Sequence, residues 1–310
     1  MAWAKMGLIY VPGDRLPWAR SHAQVPTVDV IDEERWRIYF STRDERNRSL
    51  TTYIEVSPDD PSTIVYEHPD PILPLGSPGS FDDVGIMPGW IVDHGAEKRL
   101  YYTGWSLREP VPYEIQIGLA ISADGGETWQ KYSDRPVLGR IPAEPLLTST
   151  ATIRHENGLW RAWYMSGTKW EVVDDRLEPF YHMKYAESHD GVEWAREGVV
   201  AIDYRSPDEG GIVRGAVVRD PDVYRMWFCF RAASSFRSKR ANTYRIGYAE
   251  SEKGICWTRM DERAGIDVSD RGWDSEMIAY PYVFDHRGSR YMLYNGNGFG
   301  QAGFGYAVWE

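Results

Sequence analysis

The sequence predicts an all-β fold: one five-bladed β-propeller built from four-stranded blades. Three observations predict it: a segment that recurs along the 310 residues, short strand patterns rich in aromatic residues before each copy, and no helical periodicity of any length. Closed all-β architectures of this length are often one unit, so we expect residues 1–310 to form a single domain.

The recurring segment is a strand followed by a tight turn. Its copies are IQIGLAISADGGETW (115–129), YHMKYAESHDGVEW (181–194), YRIGYAESEKGICW (244–257), a truncated GFGYAVWE (303–310) and a degenerate TTYIEVSPDD (51–60). The shared alanine recurs at intervals of 66, 63 and 58 residues, from Ala120 through Ala186 and Ala249 to Ala307. These intervals suit a four-stranded propeller blade with its loops.

Two further strand patterns precede each copy, and outer strands follow it. The second strands, rich in aromatic and β-branched residues, are predicted at 35–44, 98–106, 159–168, 224–232 and 289–297. The innermost strands are predicted at 22–30, 84–92, 148–155, 213–219 and 278–284. The outer strands include TIVYEH (63–68) and VEWAREG (192–198).

The two chain ends are expected to share the last blade. The final copy of the repeat stops after its third strand, so MGLIYV (6–11) is the natural outer strand for it. This pairing would close the ring and leave no exposed sheet edge. The blades are predicted at about 18–73, 80–138, 144–202, 208–266, and 273–310 with 5–12.

Composition excludes several classes of partner. A net charge of −11 without a basic stripe argues against nucleic acid, whose phosphates need an excess of Lys and Arg. No apolar run is long enough to span a membrane, and no secretion signal is recognisable, so a cytoplasmic location is expected. The seven His show no zinc spacing, and we expect neither a metal nor a cofactor. Oligomeric state stays open.

Several motifs give the chain a resemblance to known proteins. They are SHAQVP (21–26), GSFDDVGIMP (79–88), YYTGW (101–105), RIGYAES (245–251), GWDSEMIAYPYVF (272–284) and YMLYNGNGFGQAGFGYAV (291–308). With this blade pattern, the chain resembles the five-bladed propeller glycosidases of the arabinanase/β-xylosidase and invertase/levansucrase type. It is closer to uncharacterised relatives encoded among bacterial surface-polysaccharide biosynthesis genes.

The resemblance implies a carbohydrate pocket at the hub with three carboxylates from the first three inner strands. The first strand departs from the family, since Ser21-His22-Ala23-Gln24 stands where an Asp is usual. The second strand offers Asp82-Asp83, and the third offers Glu144 some residues ahead of it. The family's carboxylate set is therefore not intact in this chain.

Three residues are the catalytic candidates: Asp83, Glu276 and His22. Hydrolysis of a glycosidic bond generally needs two carboxyl groups, and Asp83 and Glu276 each lie just before an inner strand. His22 could act as a general base at neutral pH or bind a substrate anion. The structural alternatives are a turn-capping Asp, a hydrogen-bonded Glu and a buried, satisfied His.

Nine further residues are the candidates for substrate binding. Arginines at the hub could hold a carboxylate or phosphate, with a local salt bridge as the alternative. Aromatic rings could stack on sugar faces and amides could bond hydroxyl groups, with core packing as the alternative. The candidates are Arg43, Trp105, Trp170, Glu209, Arg214, Arg231, Tyr280, Asn295 and Asn297.

Three functions remain open at this point. A glycoside hydrolase-like enzyme would carry two carboxyl groups facing each other across the hub. A transferase, lyase or isomerase of a sugar nucleotide would carry two or more arginines and an aromatic slot. A non-catalytic carbohydrate-binding propeller would have every acid tied up in salt bridges. The connections at 105–114, 169–181 and 232–243 are the longest, and we expect them to set specificity.

Overall fold

The computed structural model describes residues 2–13 and 16–310 and is nearly all β. Its strands are β1 (Trp3–Tyr10), β2 (Ser21–Asp32), β3 (Arg35–Arg43), β4 (Ser49–Ser57), β5 (Asp60–Glu67), β6 (Gly85–His94), β7 (Glu97–Ser106), β8 (Glu114–Ser122), β9 (Gln130–Lys131), β10 (Thr148–Glu156), β11 (Leu159–Val173), β12 (Arg176–Ser188), β13 (Val200–Ile202), β14 (Glu209–Arg219), β15 (Tyr224–Ala232), β16 (Arg245–Ser251), β17 (Thr258–Arg259), β18 (Ala279–His286), β19 (Ser289–Asn295) and β20 (Phe304–Trp309).

The strands form antiparallel groups of four. Strands β2 to β5 and β6 to β9 make two groups, joined by a single parallel bridge between Ser49 and Gly85. Strands β10 to β13 and β14 to β17 make two more, joined between Tyr181 and Gly211. The last group is β18, β19 and β20 with β1, which pairs antiparallel to β20. The predicted all-β propeller and its closure by the N-terminal strand are confirmed.

One outer strand is shorter and lies later than the sequence predicts, whereas β5 is longer than the predicted 63–68. The predicted strand at 192–198 is a turn with one bridge, between Glu187 and Ala195, and β13 begins only at Val200. Gly191 and Gly198 bracket this segment with φ of 75° and 76°, a left-handed conformation that bends the chain out of an extended strand.

Aromatic side chains fill the space between neighbouring groups, and the repeat alanines are buried beside them. Trp36 packs against Phe284 and Tyr291 with ring centroids 4.9 and 4.8 Å away. The alanines leave room for such rings, since Ala120 and Ala249 are fully buried. The large aromatic content is therefore mostly core, as expected from the sequence.

Each innermost strand contains a bulge next to the hub. The ladder between first and second strand shifts at 24–27, 88–90, 149–152, 213–216 and 279–282. Val25, Thr150, Arg214 and Tyr280 have positive φ there, between 43° and 56°. A bulge re-aims side chains and is common beside functional sites. Here the bulges lie where the inner strands begin, at one end of the molecule.

Side chains of neighbouring groups hold three of these bulges. The Val25 backbone N–H donates to Asn295 Oδ1 at 2.8 Å, and that of Tyr280 donates to Cys229 Sγ at 2.7 Å. The Thr150 N–H donates to Thr103 Oγ1 at 3.2 Å. Each of these acceptors lies on the second strand of the preceding group, so the contacts tie the groups together around the hub.

Helical structure is scarce in the described residues. It comprises α1 (Asn297–Gly300) and 3₁₀ turns at Arg240–Asn242 and Asp261–Arg263. No helix in residues 2–13 and 16–310 is long and apolar enough to cross a membrane.

Candidate functional site

A cavity of about 640 Å³ lies at the hub, where the innermost strands begin and the second strands end. Its floor is formed at the bulges by residues such as Gln24, Val25 and Thr150. The five connections between second and third strands supply its walls and mouth. They contribute Asn47, the pair Leu107 and Tyr113, the hairpin residues Glu178, Pro179 and Tyr181, the residues Phe236, Arg237 and Tyr244, and Gly298, Phe299 and Gln301.

The structure brings five of the twelve sequence-predicted site residues together in this cavity. They are His22, Arg43, Trp105, Arg231 and Tyr280. The three long connections named from the sequence all reach the cavity as well. A specific binding role for each of these residues stays a prediction.

His22 lies at the start of β2 with a positive φ of 65° and is 6% exposed. Its Nδ1 is 2.8 Å from Ser21 Oγ. Burial, together with the charge of the adjacent Arg43, lowers the pKa of His22 to about 4. The imidazole is therefore neutral at pH 7.

Arg43 ends β3 and has an open guanidinium face. Its Nη1 donates to Asn47 Oδ1 at 3.1 Å, and no carboxylate of the described residues forms an ion pair with it. Burial lowers the pKa of Arg43, and the charge of Arg237 lowers it further, against an opposing effect of Tyr280. A guanidinium in this position is suited to an anionic ligand.

Arg231 ends β15 and is 2% exposed. It donates to Tyr181 Oη at 3.1 Å and to the backbone oxygens of Ala232 at 2.9 Å and Pro179 at 2.7 Å. Burial alone would lower the pKa of Arg231, but the hydroxyl groups of Tyr181 and Tyr244 outweigh it and raise the value. Its acceptors are all neutral, so its positive charge is uncompensated.

Glu178 and Arg237 form the ion pair of the cavity. Arg237 Nε donates to Glu178 Oε1 at 2.7 Å and Nη2 donates to Oε2 at 3.0 Å. The Glu178 carboxylate raises the pKa of Arg237, whose guanidinium also lies 5.5 Å from the Phe299 ring. Glu178 is the one acidic residue among the described residues that line the cavity.

Two buried polar atoms of the lining have no hydrogen-bond partner within the described chain. They are Gln24 Oε1 and Thr150 Oγ1, whose residues are 4% and 6% exposed. Gln24 Nε2 donates to the Phe299 backbone oxygen at 2.6 Å, which fixes the amide. An unpaired buried polar atom is costly, so these atoms are suited to the hydroxyl groups of a ligand.

Aromatic side chains form much of the cavity wall. Trp105 packs against Tyr113 with ring centroids 4.9 Å apart, and Tyr244 lies edge-on to Phe299 at 6.0 Å. The hydroxyl groups of Tyr181 and Tyr244 are hydrogen-bonded to each other. Burial raises the pKa of Tyr244, which keeps its hydroxyl protonated. Rings with polar tips are typical of carbohydrate pockets.

The two predicted catalytic carboxylates do not line the cavity. Asp83 Oδ2 accepts the Gly79 N–H at 2.7 Å, which caps the turn ahead of β6. Glu276 is exposed, and its backbone N–H donates to Asn297 Oδ1 at 2.7 Å. The sequence placed both just before an inner strand, but the bulges direct other residues towards the hub. Their catalytic role stays a prediction without support from this geometry.

Three predicted substrate contacts have structural partners instead. Asn295 is fully buried and donates to the backbone oxygens of Ala23 at 2.6 Å and Gly303 at 3.0 Å. Asn297 organises the turn that carries Glu276. Arg214 is fully buried beneath the cavity and donates to Gly89 O at 2.7 Å and Thr27 Oγ1 at 2.9 Å.

Glu209 and Trp170 also lie outside the hub cavity. Arg259 binds Glu209 through two hydrogen bonds of 2.7 and 2.8 Å. Trp170 packs against Tyr113 from behind, with centroids 5.4 Å apart, and lines a separate groove beside β11 and β12. Neither side chain faces the cavity, because each lies on the flank of its strand group.

The acids ahead of three inner strands share one arrangement. Asp82 accepts from Tyr102 at 3.0 Å and pairs with Lys131 at 2.6 Å. The same set of acid, tyrosine and lysine recurs as Glu144 with Tyr164 and Lys184, and as Asp274 with Tyr294 and Lys5. These carboxylates are held within their own strand groups, away from the hub.

The sequence reasoning missed Glu178 and Arg237. Arg237 lies in the long connection after β15, whereas Glu178 lies in β12, because the predicted connection at 169–181 is an extended hairpin of β11 and β12. The length of these two segments was the one available signal. Their partner could not be inferred, because 59 residues separate them. Among the described residues, no group of three or more His, Cys, Asp or Glu is arranged to hold a metal ion.

Comparison with known proteins identifies relatives over the full length. No family model matches the chain. The uncharacterized proteins MT1551 and Rv1502 of two Mycobacterium tuberculosis strains are each 42% identical to it over 310 residues, which is the full length of each. The chain belongs to the Rv1502 family. The relatives' names give this family no activity.

Solved structures similar to this member of the Rv1502 family support the fold. A glycosyl hydrolase from Bacteroides ovatus matches with a TM-score of 0.71 at 13% identity, over 100% of this chain and 94% of that one. A thermostable family-43 glycoside hydrolase matches at 0.67 and 14% identity, over 96% and 91%. The Bombyx mori GH32 β-fructofuranosidase BmSUC1, as a mutant in complex with sucrose, matches at 0.61 and 15%, over 94% and 61%. The neighbours share the propeller fold.

Proposed function

We propose that this protein is a carbohydrate-active enzyme of the glycoside hydrolase-like type and that its hub cavity takes a sugar carrying a negative charge. The observation that carries the proposal is Arg43, a half-buried guanidinium in the cavity wall without a carboxylate partner among the described residues. On a chain with a net charge of −11, a cavity with three arginines and one glutamate favours anions.

The neutral part of the ligand is a sugar in this proposal. Gln24 Oε1 and Thr150 Oγ1 are unpaired at the cavity floor, where sugar hydroxyl groups can reach them. Trp105 and Tyr280 line the cavity, and aromatic rings are suited to stack on the C–H groups of a sugar. His22, neutral at pH 7, accepts the proton that a reaction at the sugar releases.

We also propose that the propeller has five blades. Each antiparallel group of four strands is one blade, with bounds near 18–73, 80–138, 144–202, 208–266, and 273–310 with 5–12. All of them belong to one domain. A cytoplasmic location and a place in surface-polysaccharide biosynthesis stay predictions of the sequence resemblance.

Calorimetric binding of a matched sugar series tests the charge requirement. Hexoses, the corresponding hexuronic acids and hexose phosphates are titrated into the wild type, Arg43→Met and the exposed control Arg135→Met. We expect the anionic sugars to bind at least about tenfold tighter than the neutral ones, and Arg43→Met to remove that preference. Equal affinities for neutral and anionic sugars in all three proteins would contradict the proposal.

Turnover assays test the assignment of the proton acceptor. We expect His22→Gln to lose activity by at least about 100-fold, in the range of a lost general base. Glu97→Gln, an exposed variant at the start of β7, is the control. Loss of turnover in Asp83→Asn or Glu276→Gln, with His22→Gln active, would restore the sequence-based assignment of the two carboxylates.

A sugar-binding propeller without catalysis is the second candidate. The observation that favours it is the ion pairing of Asp82, Glu144, Glu209 and Asp274, four of the acids at or just ahead of the inner strands. Tight binding of an anionic sugar with no turnover of any member of the series would select it.

A further inference from the structure

We propose that the negative charge of the substrate is a phosphate on the anomeric carbon and that this phosphate is the leaving group. The substrate class is a glycosyl phosphate, either a simple sugar 1-phosphate or a nucleotide sugar. This inference rests on the function proposed above and specifies its substrate and the bond that breaks.

The charges of the cavity match a dianion. The lining holds three guanidinium groups, those of Arg43, Arg231 and Arg237, and one carboxylate, that of Glu178, which gives it a net charge of +2. A phosphate monoester carries a charge of about −1.5 to −2 at pH 7, whereas a sugar carboxylate carries a single charge. A uronic acid would leave one buried guanidinium without an anion, and a phosphate would not.

Arg43 and Arg237 point to the place of the phosphate. Both line the cavity and the charge of each bears on the other, with no carboxylate on Arg43 to compensate. Like charges brought together in a partly buried cavity repel, and an anion between them relieves the repulsion. Planar guanidinium groups also match the geometry of phosphate oxygens.

A phosphate leaving group is consistent with a cavity whose one carboxylate is already engaged in an ion pair. Departure of an alcohol from a sugar generally requires a protonated carboxyl group as general acid. The one carboxylate of the described lining, Glu178, accepts a hydrogen bond from Arg237 on each of its two oxygens, so it is engaged as an acceptor and is not placed as a donor to a leaving group. A phosphate departs as an anion that the arginines stabilise, so no such donor is needed.

The step balances with water and one base. The oxygen of water forms a bond to the anomeric carbon while the bond from that carbon to the phosphate oxygen breaks. The phosphate leaves with the electron pair of the broken bond, and His22 takes the proton of the attacking water. The products are the free sugar and phosphate, or a nucleoside diphosphate when a nucleotide sugar is the substrate.

The space available admits both kinds of substrate. The cavity measures about 640 Å³, inside the usual range of about 300 to 1,000 Å³ for small-molecule sites. Leu107 at its mouth is 67% exposed, so a group larger than phosphate can extend past it towards solvent.

Hydrolysis in H₂¹⁸O tests this inference. A panel of hexose 1-phosphates and uridine diphosphate hexoses is incubated with the wild type, and the products are analysed by mass spectrometry. We expect ¹⁸O on the sugar, because water attacks carbon. Label on the phosphate would mean attack at phosphorus and would overturn the inference. Activity on the hexose 1-phosphates alone, or on the uridine diphosphate hexoses alone, identifies which of the two substrate types the site takes.

Arginine variants and neutral substrates complete the test. We expect Arg43→Met to lower kcat/KM for the phosphate substrate by about 100-fold and Arg43→Lys to recover part of it, with Arg135→Met unchanged. A higher kcat/KM on neutral 4-nitrophenyl glycosides than on glycosyl phosphates would overturn the inference and leave the proposed function standing. No turnover of any phosphate substrate would also overturn it, while selective binding of anionic sugars would still support that function.

Discussion

Two arginines of this protein differ in how their terminal guanidinium nitrogens are used. Arg214, fully buried at the hub, donates to backbone and side-chain oxygens of two other strand groups, and burial lowers its pKa to about 10. Arg43, half-buried in the wall, has one side-chain hydrogen bond, to Asn47. The first guanidinium joins elements of the fold, and the second is open to a ligand.

The depressed pKa of His22 predicts an acid-dependent loss of stability. The folded-state pKa is about 4, below the ordinary value of 6.5, so between these values the unfolded chain binds a proton that the folded chain does not. The free energy of unfolding therefore falls as the pH drops from 6.5 towards 4. We expect His22→Gln to lose less stability than the wild type over this window, measured by urea denaturation at pH 7, 5 and 4.

The exposed His189 supplies the control for that comparison. His189→Gln should follow the wild type at all three pH values. Identical losses in His22→Gln and the wild type would mean that His22 titrates normally in the folded protein, and would contradict the depressed pKa that its burial and Arg43 imply.

At the scale of strands, the bulges of the inner strands decide which side chains reach the hub. Three acids just ahead of inner strands are fixed by a tyrosine and a lysine of their own groups, as Asp82 is by Tyr102 and Lys131. The bulge residues enter the cavity instead, as Tyr280 does after its N–H is bound by Cys229. An acid one or two residues before an inner strand therefore does not reach the cavity, whereas an acid at the bulge itself would.

The burial of Cys229 within β15 predicts that its thiol is unreactive in the native protein. Burial raises the pKa of Cys229 to about 12, so the thiolate is scarcely populated at pH 8, and Cys256 is exposed. We expect Ellman's reagent to titrate one thiol of the native protein and two after unfolding. In Cys256→Ser the native protein should show none. Rapid reaction of both thiols under native conditions would contradict the packing of β15 against β18.

At the scale of the whole molecule, the pairing of the two chain ends closes the propeller. Strand β1 pairs with β20 along six registered positions, from Trp3 opposite Trp309 to Tyr10 opposite Phe304. The Trp3 ring lies 5.3 Å from Trp227 and 4.8 Å from Trp309, so it joins the last strand group to the one before it. Closure depends on these contacts as well as on the backbone ladder.

Removal of this ring should destabilise the whole fold. We expect Trp3→Ala to lower the free energy of unfolding by about 3 to 5 kcal/mol, the usual cost of deleting a buried tryptophan. Met6→Ala, on the same strand but 54% exposed, should cost less than about 0.5 kcal/mol. Chemical denaturation checks both values, provided that the variants and the wild type have the same m-value, the slope of the free energy of unfolding against denaturant concentration. Equal, small effects would mean that β1 is peripheral to the stability of the ring.

Much of the fold was accessible from the sequence because its repeats carry local signals. The spaced alanines and aromatic strands predict the strand order, including the N-terminal strand that completes the C-terminal group. The site was only partly accessible. Arg43 and Arg231 end second strands and were identified, whereas Arg237 and Glu178 meet across two connections that no local pattern relates. Asn295 carries an amide suited to sugars, but the Val25 bulge uses that amide as a structural acceptor.

The most direct test of the central claim is a crystal structure of the protein with a bound glycosyl phosphate, a hexose 1-phosphate or nucleotide sugar selected by the binding series. We expect density in the hub cavity, with the phosphate between Arg43 and Arg237 and sugar hydroxyl groups within hydrogen-bond distance of Gln24 Oε1 and Thr150 Oγ1. A ligand bound in the groove beside Trp170, with the hub cavity empty, would contradict it.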